Sequence, residues 1–476
     1  MYIAVDDTDS LNGNCTTFLA TEIISELCKD MDLIGYPRLI RLNPATPWKT
    51  RGNASLAMRF GKGQGKKIHI GNISGRDILC FQDAARYEPE EDIIRRIIPI
   101  VKEHSEPDAD PGLVVSRRKP AQSMYWKGVR TILDKGSAED EIRRIGAQKY
   151  EAGCGRGIIG AVCGMAWRPT DSTLELLAYR PKERWGTERT FDPLSIKEMN
   201  TKLSSTFNSW EERTQKVTMV PSTPCPIMYG LRGEDRSELI EGRDIIRSEP
   251  AERWMIFLTN QGTDDHIISD PKETVPNQSY YIEGKVIKSR HIAGGHVLTD
   301  LDTKFGIMTV GAYEPSKEFR YLFDNLSEED VIGVMGELRE EPRTLNAEKV
   351  HVIKTAERYE KISNPVCPGC GRTMESVGKG KGYRCRNCRT SSVHPHVEKA
   401  VRWVREGWYE PPAAARRHLS KPLKRMDLEQ PVEFLNRHVD HSAIHSPMRK
   451  TAMGSEEDNE AGTVFVPSIN VFEHRH

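Results

Sequence analysis

The sequence predicts a multidomain chain made of an α/β unit, an α+β unit, a five-stranded β domain and a zinc ribbon, and three observations carry that prediction. A β-prone run, Tyr2 to Val5, breaks into a cluster of carboxylates and is followed by a helical repeat. Residues 277–362 alternate short strand patterns around a single helical one. Four cysteines then stand in two Cys-x-x-Cys pairs. A chain of 476 residues is also too long for one hydrophobic core. The longest nearly apolar run, Gly157 to Trp167, is far short of a membrane span. Met1-Tyr-Ile-Ala-Val-Asp-Asp has no basic start and no cleavage site, so a cytoplasmic protein is expected. In that setting ten cysteines read as thiols and metal ligands rather than disulfides.

The first unit, 1–137, is organised around its opening stretch. Asp6, Asp7 and Asp9 follow the first strand, and Gly13-Asn14 supplies a turn. Leu19, Ile23 and Leu27 then recur at four-residue spacing, with Thr16 or Thr17 placed as an N-cap. Three carboxylates this close repel one another unless a cation sits among them, and hard oxygen ligands suit Mg²⁺ with substrate phosphates. The helix start offers free N–H groups to a phosphate. An ordinary acidic turn is the competing reading. No Gly-x-x-x-x-Gly-Lys-Ser/Thr is present, so a nucleotide site here is not a P-loop. Leu33 to Arg41 and Ala54 to Phe60 read as strands flanking a Pro-containing loop, where Arg41, Lys49 and Arg51 are candidate phosphate contacts. Gly61 to Lys67 reads as a flexible hairpin tip, and Glu90 to His104 as a helix kinked at Pro99. Arg117-Arg-Lys119 adds local positive charge and reads equally well as a solvated turn.

The second unit, 138–255, alternates helices and strands. Gly155 to Gly160 opens a small-residue helix whose simplest reading is close packing, and Cys225 sits between two prolines in a rigid loop. In the third, 277–362, strands at 280–287, 296–303 and 306–312 precede a helix at 317–325 and strands at 331–338 and 345–353. That is the order of an OB-fold β-barrel, which often binds oligonucleotides. The ribbon, 363–395, carries Cys367, Cys370, Cys385 and Cys388, four thiolates that close a tetrahedral Zn²⁺ site and leave no open position. Around it Tyr383 offers a stacking face, and Arg384, Arg386 and Arg389 offer charge. A helix is expected at 397–406, within a basic helical segment 396–440 that includes Arg416 and Arg417. From Cys367 to Arg425 there are 14 Lys and Arg against four Asp and Glu, an excess of ten on a chain of zero net charge. A basic segment on an acidic body suits a polyanion partner. Residues 441–476 are polar and expected to be disordered. Nothing points to a membrane or a protein partner.

Several short motifs occur in one order: Ala4-Val-Asp-Asp-Thr-Asp-Ser10, Cys15-Thr-Thr17, Pro37-Arg-Leu-Ile-Arg-Leu-Asn-Pro44, Lys49-Thr-Arg-Gly-Asn53, Gly155-Arg-Gly-Ile-Ile-Gly-Ala161, Thr187-Glu-Arg189 and Thr223-Pro-Cys-Pro226. The five-strand pattern, the four-cysteine ribbon and Pro412-Ala-Ala-Ala-Arg-Arg-His-Leu-Ser-Lys-Pro-Leu423 complete the series. Together they resemble the archaeal tRNA isoleucine 2-agmatinylcytidine synthetases, from residue 1 to about 425. The stretch 61–67 and the tail after about 440 fall outside the pattern. The resemblance implies a kinase-like first domain and a ferredoxin-like second domain that helps hold agmatine. It also implies an OB fold and a ribbon that hold a CAU-anticodon isoleucine tRNA. The implied reaction phosphorylates the C2 carbonyl oxygen of the wobble cytidine with ATP. The primary amine of agmatine then displaces phosphate, and ATP ends as AMP and phosphate. The threonine that becomes phosphorylated in that family matches Thr16. Glu188, Cys225 and Gly230 are the expected agmatine contacts, with Glu188 and the carbonyls near Cys225 as candidate partners of its guanidinium. The alternative is a non-catalytic OB-fold and zinc-ribbon nucleic-acid-binding protein, which leaves the acidic loop without a role.

Overall fold

The computed structural model describes residues 1–49, 52–85 and 92–431. Tyr2–Asp6 forms β1, in which Ile3 and Val5 point to one face and Ala4 to the other. The acidic loop leads to α1, Thr16–Leu27. Its N-cap is Cys15, without a side-chain cap bond, so the threonines expected there lie inside the first turn. The segment read as one strand splits into β2, Asp32–Ile34, and β3, Arg38–Arg41, at Gly35, whose φ is +68°.

β4, Ala54–Ile73, is the first large departure from expectation, because it runs straight through the predicted hairpin tip at 61–67. Lys62 to Gln64 pair with Asp83 to Ala85 of β5, Arg76–Ala85, and Gly63 leaves room for the Phe81 ring. The turn of this hairpin falls instead at Ser74-Gly75, both at positive φ. α2, Ile93–Glu103, continues through Pro99 and buries Ile93, Ile94, Ile97 and Val101 with α1. β6, Gly112–Ser116, follows, then α3, Gln122–Arg130, α4, Lys135–Ile145, and β7, Gln148–Glu151. α5, Gly157–Ala166, buries nearly every residue against α3, α4 and the sheet.

β8, Thr173–Tyr179, precedes α6, Pro193–Lys202. The short strands β9, Thr206–Phe207, β10, Trp210–Glu211, and β11, Lys216–Val217, come next. β12, Ile227–Gly233, α7, Arg236–Ile245, and β13, Arg253–Thr259, complete the first half. The two segments expected as separate units share one sheet of eleven strands, with the path β7-β6-β1-β4-β3-β13-β8-β12-β9 and β2 and β5 at its side. Parallel pairing of β3 with β13 joins the halves.

β14, Ile267–Ile268, runs alongside β15, Gln278–Ile292. β16, His296–Thr303, β17, Gly306–Ala312, α8, Phe319–Asn325, β18, Val331–Leu338, and β19, Leu345–Lys354, follow in the expected order. β15 pairs β16, β16 pairs β17, β17 pairs β19, β19 pairs β18, and β18 pairs β15, so the path returns to its first strand. Tyr280, Ile282, Val310, Val334 and Val350 fill the core beneath it.

The ribbon is bracketed by β20, Tyr359–Ser363, and β24, His396–Lys399, and contains β21, Glu375–Ser376, β22, Tyr383–Arg384, and β23, Ser391–Ser392. The helix expected at 397–406 does not form: β24 pairs β20, and Val401 remains 80% exposed. With no surface to bury an apolar stripe, helical spacing alone does not sustain a helix. β25, Gly407–Tyr409, joins β19, and 3₁₀ turns at Ala413–Ala415 and Leu423–Met426 are the helical structure of 396–431. Arg51 and the expected tail 441–476 lie outside the described residues. Among the described residues no helix is long and apolar enough to cross a membrane.

Candidate active site

The β1 carboxylates, the start of α1 and the end of β3 meet in one cavity of about 310 Å³. Asp6, Asp7, Asp9, Thr16, Arg41 and Lys49 line it, as do Cys225 and Gly230 from the second half of the sheet. Eight residues named from the sequence are thus brought to one space.

Close packing shapes the acidic end. α5 lies so near β1 that a carbon added at Gly157 would sit 2.7 Å from the Asp6 carbonyl oxygen. One added at Gly160 would sit 2.6 Å from Asp6 Cγ and nearer still to Oδ2. The small-residue helix therefore packs closely, as its simplest reading holds, and what it packs against is the acidic loop. The Asp7 N–H donates to Asp6 Oδ1 at 2.8 Å, and Asp7 adopts φ +58°, a left-handed conformation that aspartate tolerates better than most residues. Burial, then the Asp7 charge, pushes the Asp6 carboxyl well above the usual carboxylate range. Burial, then Asp110 and Asp9, pushes Asp7 up to about 6, against the pull of Arg156. A cation among these groups would relieve the burial and the repulsion together. Thr16 Oγ1 accepts from Thr8 Oγ1 at 3.1 Å, and Thr16 is buried in the wall of the cavity.

The opposite wall is cationic. Burial lowers the Arg41 guanidinium to about 10, with Glu175 opposing that shift. Arg232 Nε donates to Glu175 Oε1 at 2.9 Å, and Gln261 holds the other carboxylate oxygen. A carbon at Gly230 would lie 2.9 Å from Glu175 Oε1, so this glycine gives the carboxylate its place. His418 arrives from the segment after β25; a carbon at Gly52 would lie 3.2 Å from Arg41 Cζ and 3.3 Å from His418 Cδ2. The Arg41 charge beside it holds His418 below the usual histidine range. At the mouth, Arg156 stacks 3.5 Å over the exposed Trp48 ring.

Glu175, Arg232, Arg156 and His418 were not identified from the sequence. Glu175 did leave a trace: it is the lone carboxylate in Thr173-Leu-Glu-Leu-Leu-Ala-Tyr179, an otherwise buried strand. Three expectations are corrected. Glu188 is exposed and does not line the cavity. The carbonyls near Cys225 are taken by its neighbour Arg189, which donates to Thr223 O at 2.9 Å and Cys225 O at 3.0 Å. Arg416 and Arg417, expected on an RNA surface, turn inward. Arg416 pairs with Glu410 at 2.7 Å, and Arg417 pairs with Glu337 and, at 3.0 Å, Glu348.

In the ribbon the four cysteine sulfurs lie within 4.8 Å of one another, and Cys370 Sγ and Cys385 Sγ are 3.5 Å apart. Four thiolates about 2.3 Å from one Zn²⁺ would stand roughly 3.8 Å apart, so the cluster fits that ion. Each knuckle closes the same way: Gly371 N–H donates to Cys367 O and Arg389 N–H to Cys385 O, both at 2.9 Å, with both donors at positive φ. The Arg372 N–H and the neighbouring sulfurs push the Cys370 thiol down to about 6. Arg384, Arg386 and Arg389 are exposed around it, Arg386 paired to Glu375 at 2.6 Å, and Tyr383 is half-buried beneath Lys361.

Three family models match the chain in order: the TiaS TCKD domain over residues 2–154, the TiaS FLD domain over 155–266, and the TiaS C-terminal zinc ribbon domain over 364–403. The tRNA 2-agmatinylcytidine synthetase TiaS of Archaeoglobus fulgidus is 36% identical over 440 residues, covering 90% of this chain and 98% of that protein. Its Methanocaldococcus jannaschii counterpart is 35% identical, covering 90% and 99%. The crystal structure of TiaS with its isoleucine tRNA and ATP matches at a TM-score of 0.78 and 35% identity, covering 90% of this chain and 98% of that one. A complex with tRNA, AMPCPP and agmatine matches at 0.75 and 33%, with the same coverage. Models over most of the chain, and relatives matched over nearly their full length, make this chain a member of the TiaS family of tRNA 2-agmatinylcytidine synthetases.

Proposed function

We propose that the cavity conjugates agmatine to C2 of the wobble cytidine of a CAU-anticodon isoleucine tRNA, using ATP, by way of a phosphorylated cytidine. The observation that carries this reading is the convergence of Asp6, Asp7, Asp9 and Thr16 with Arg41, Lys49 and Arg232 on one space. Conversion needs the C2 oxygen to become a leaving group. Phosphoryl transfer from ATP makes it one, and the agmatine amine then forms the C–N bond as phosphate departs with the oxygen. Asp6, Asp7 and Asp9 would hold Mg²⁺, which supplies charge neutralisation to the transferring phosphates. Arg41, whose buried Nε has no protein partner among the described residues, and Lys49 would meet phosphate oxygens; Arg51, also expected to do so, lies outside the described residues. Thr16, in the cavity wall at the start of α1, would accept phosphate. Cys225 and Gly230, with Glu175 behind them, form the wall against which agmatine would lie.

Residues 1–137 would serve as a kinase-like unit and 138–255 as a ferredoxin-like unit, the two fused through one sheet. The closed five-strand path at 277–362, with its helix between the third and fourth strands, is read as an OB fold. With the ribbon and its Tyr383, Arg384, Arg386 and Arg389 it would hold the tRNA. The cytidine leaves its stack most cheaply in an anticodon loop. The reaction is placed in the cytoplasm, with tRNA. The test is mass spectrometry of the anticodon loop after incubation with ATP and agmatine. Wild-type protein should form agmatidine only with both present, and Asp7→Asn should form none while binding tRNA normally. Product from Asp7→Asn at the wild-type rate would remove the cavity from the reaction.

A further inference from the structure

The end of β1 remote from the cavity carries a group of cations that this chemistry does not use. Tyr2 pairs in register with Arg59 of β4 on one side and Ser116 of β6 on the other, and Arg117 follows directly. Arg59 and Lys119 stand 5.6 and 5.4 Å from the centroid of the Tyr2 ring. Arg38 lies over Trp167 and donates to the Trp167 carbonyl at 2.8 Å, a carbonyl Lys119 also reaches at 3.4 Å. Arg168 donates to Ala166 O at 3.0 Å, and the Met1 amino group to Phe60 O at 2.7 Å.

The partners of these cations are backbone carbonyls and ring faces; among the described residues, no carboxylate is ion-paired to any of them. The crowding registers in their proton affinities. Burial, then Arg38, Arg168 and Arg59, pushes the Lys119 ammonium down to about 7. Burial, then Arg59 and Arg117, pushes the Met1 amino group down to about 6. Arg59 and Arg117 are exposed. One acidic residue at this edge would relieve the repulsion, yet Arg117-Arg-Lys119 adds to it. Such a cluster becomes favourable when phosphates lie on it, because guanidinium forks match phosphate oxygens and condensed counterions are released.

We propose that this end of the sheet is a docking surface for the phosphate backbone of the RNA substrate, on the stretch beyond the nucleotide that enters the cavity. The choice of RNA rests on the function proposed above. Tyr2 and Asp6 are four residues apart on one strand, about 13 Å, so a chain of phosphates reaches both ends where a single nucleotide in the cavity does not.

The test measures binding of an isoleucine tRNA transcript with CAU anticodon, and of ATP alone, at several salt concentrations. The triple variant Arg59→Gln, Arg117→Gln, Lys119→Gln should bind tRNA about ten- to hundredfold more weakly. Its plot of log affinity against log salt should be shallower by about two to three units, and Arg117→Gln alone by about one. ATP affinity should be unchanged, and turnover at saturating tRNA should stay near wild type, so that KM for tRNA rises while kcat holds. Unchanged tRNA affinity and slope would overturn the proposal. So would loss of ATP affinity in step with tRNA, which would mark a nucleotide site. A wild-type protein that binds tRNA through these residues and yet forms no agmatidine would leave this surface standing and remove the proposed reaction.

Discussion

Gly160→Ala isolates the placement of Asp6 from everything else the fold does. The added carbon would fall well inside contact distance of Asp6 Oδ2, where ordinary contact begins near 3.4 Å, so either the carboxylate or α5 must yield by roughly 2 Å. Alanine in a helix is worth about 1 kcal/mol over glycine, and overpacking costs about 1–3 kcal/mol, leaving a net loss between about 0 and 2 kcal/mol. The protein should therefore fold, with a small drop in melting temperature. Activity should respond far more, because a shift of about 1 Å in a catalytic group can cost on the order of a hundredfold. The control is Gly164→Ala, one turn further along α5. There the new carbon would lie 2.6 Å from Ser55 Oγ, so it crowds the same helix without touching Asp6. Agmatidine formation by mass spectrometry and thermal unfolding should be measured on both. Near wild-type turnover by Gly160→Ala, or an equal loss in Gly164→Ala, would refute the idea that α5 positions the acidic loop.

The metal-free protein should show an inverted pH dependence from Asp7. Its folded carboxyl, near 6 against 3.8 unfolded, binds more protons in the native state, so stability is full below about pH 4 and falls by about 3 kcal/mol as pH rises through 6. Urea unfolding in a chelator should show that fall, with Mg²⁺ restoring stability at pH 7. Thr16→Val should abolish any phosphate incorporation at the start of α1 at a cost of about 1 kcal/mol, the bond with Thr8, since Cys15 rather than Thr16 occupies the cap; peptide mapping after incubation with labelled ATP tests it. Cys367→Ser should lose the ribbon metal by elemental analysis while the sheet melts as before. Arg417→Ala should destabilise by about 3–5 kcal/mol through its stranded Glu337 and Glu348 partners, with no change in the salt slope of tRNA binding.

What the sequence made legible was local. The acidic loop, the cysteine knuckles and the order of β15 to β19 each rest on neighbours in the chain, and each stands in the structure. What it hid was decided by distant partners. Gly61 to Lys67 has loop composition, but β5 and β2 pair with it and turn it into strand. Val397, Val401 and Val404 have helical spacing, but only Val404 finds a core. The step from Glu188 to Arg189 is one residue, yet it reverses the sign of the group at the Cys225 carbonyls. Arg416 and Arg417 sit in a basic segment and become ion pairs because Glu410, just before them in the chain, turns to Arg416, and Glu337 and Glu348 come to Arg417 from β18 and β19, which spacing cannot reveal.

His418 shows why the cavity has to be argued from tertiary structure. The chain leaves the ribbon, adds β25 to β19, and crosses back over the first half of the molecule. Side-chain oxygens from the stretch 171–264 hold that crossing: Glu211 and Asn208 before His418, and Asp264 and Asp171 after it. The His418 carbonyl accepts from Gly262 N–H at 2.8 Å, which fixes the residue whose ring faces Arg41. Lys49, on the cavity rim, lies within reach of the charges of Arg417, Glu337 and Glu348 on the far side of the same crossing. The strands that precede the ribbon and the cavity that β1 opens are therefore joined through this pinned segment, alongside direct contacts such as Asn43 with the Asn277 carbonyl at 3.0 Å. His418 and Lys49 thus sit between the five-stranded domain and the wall where phosphate is proposed to bind.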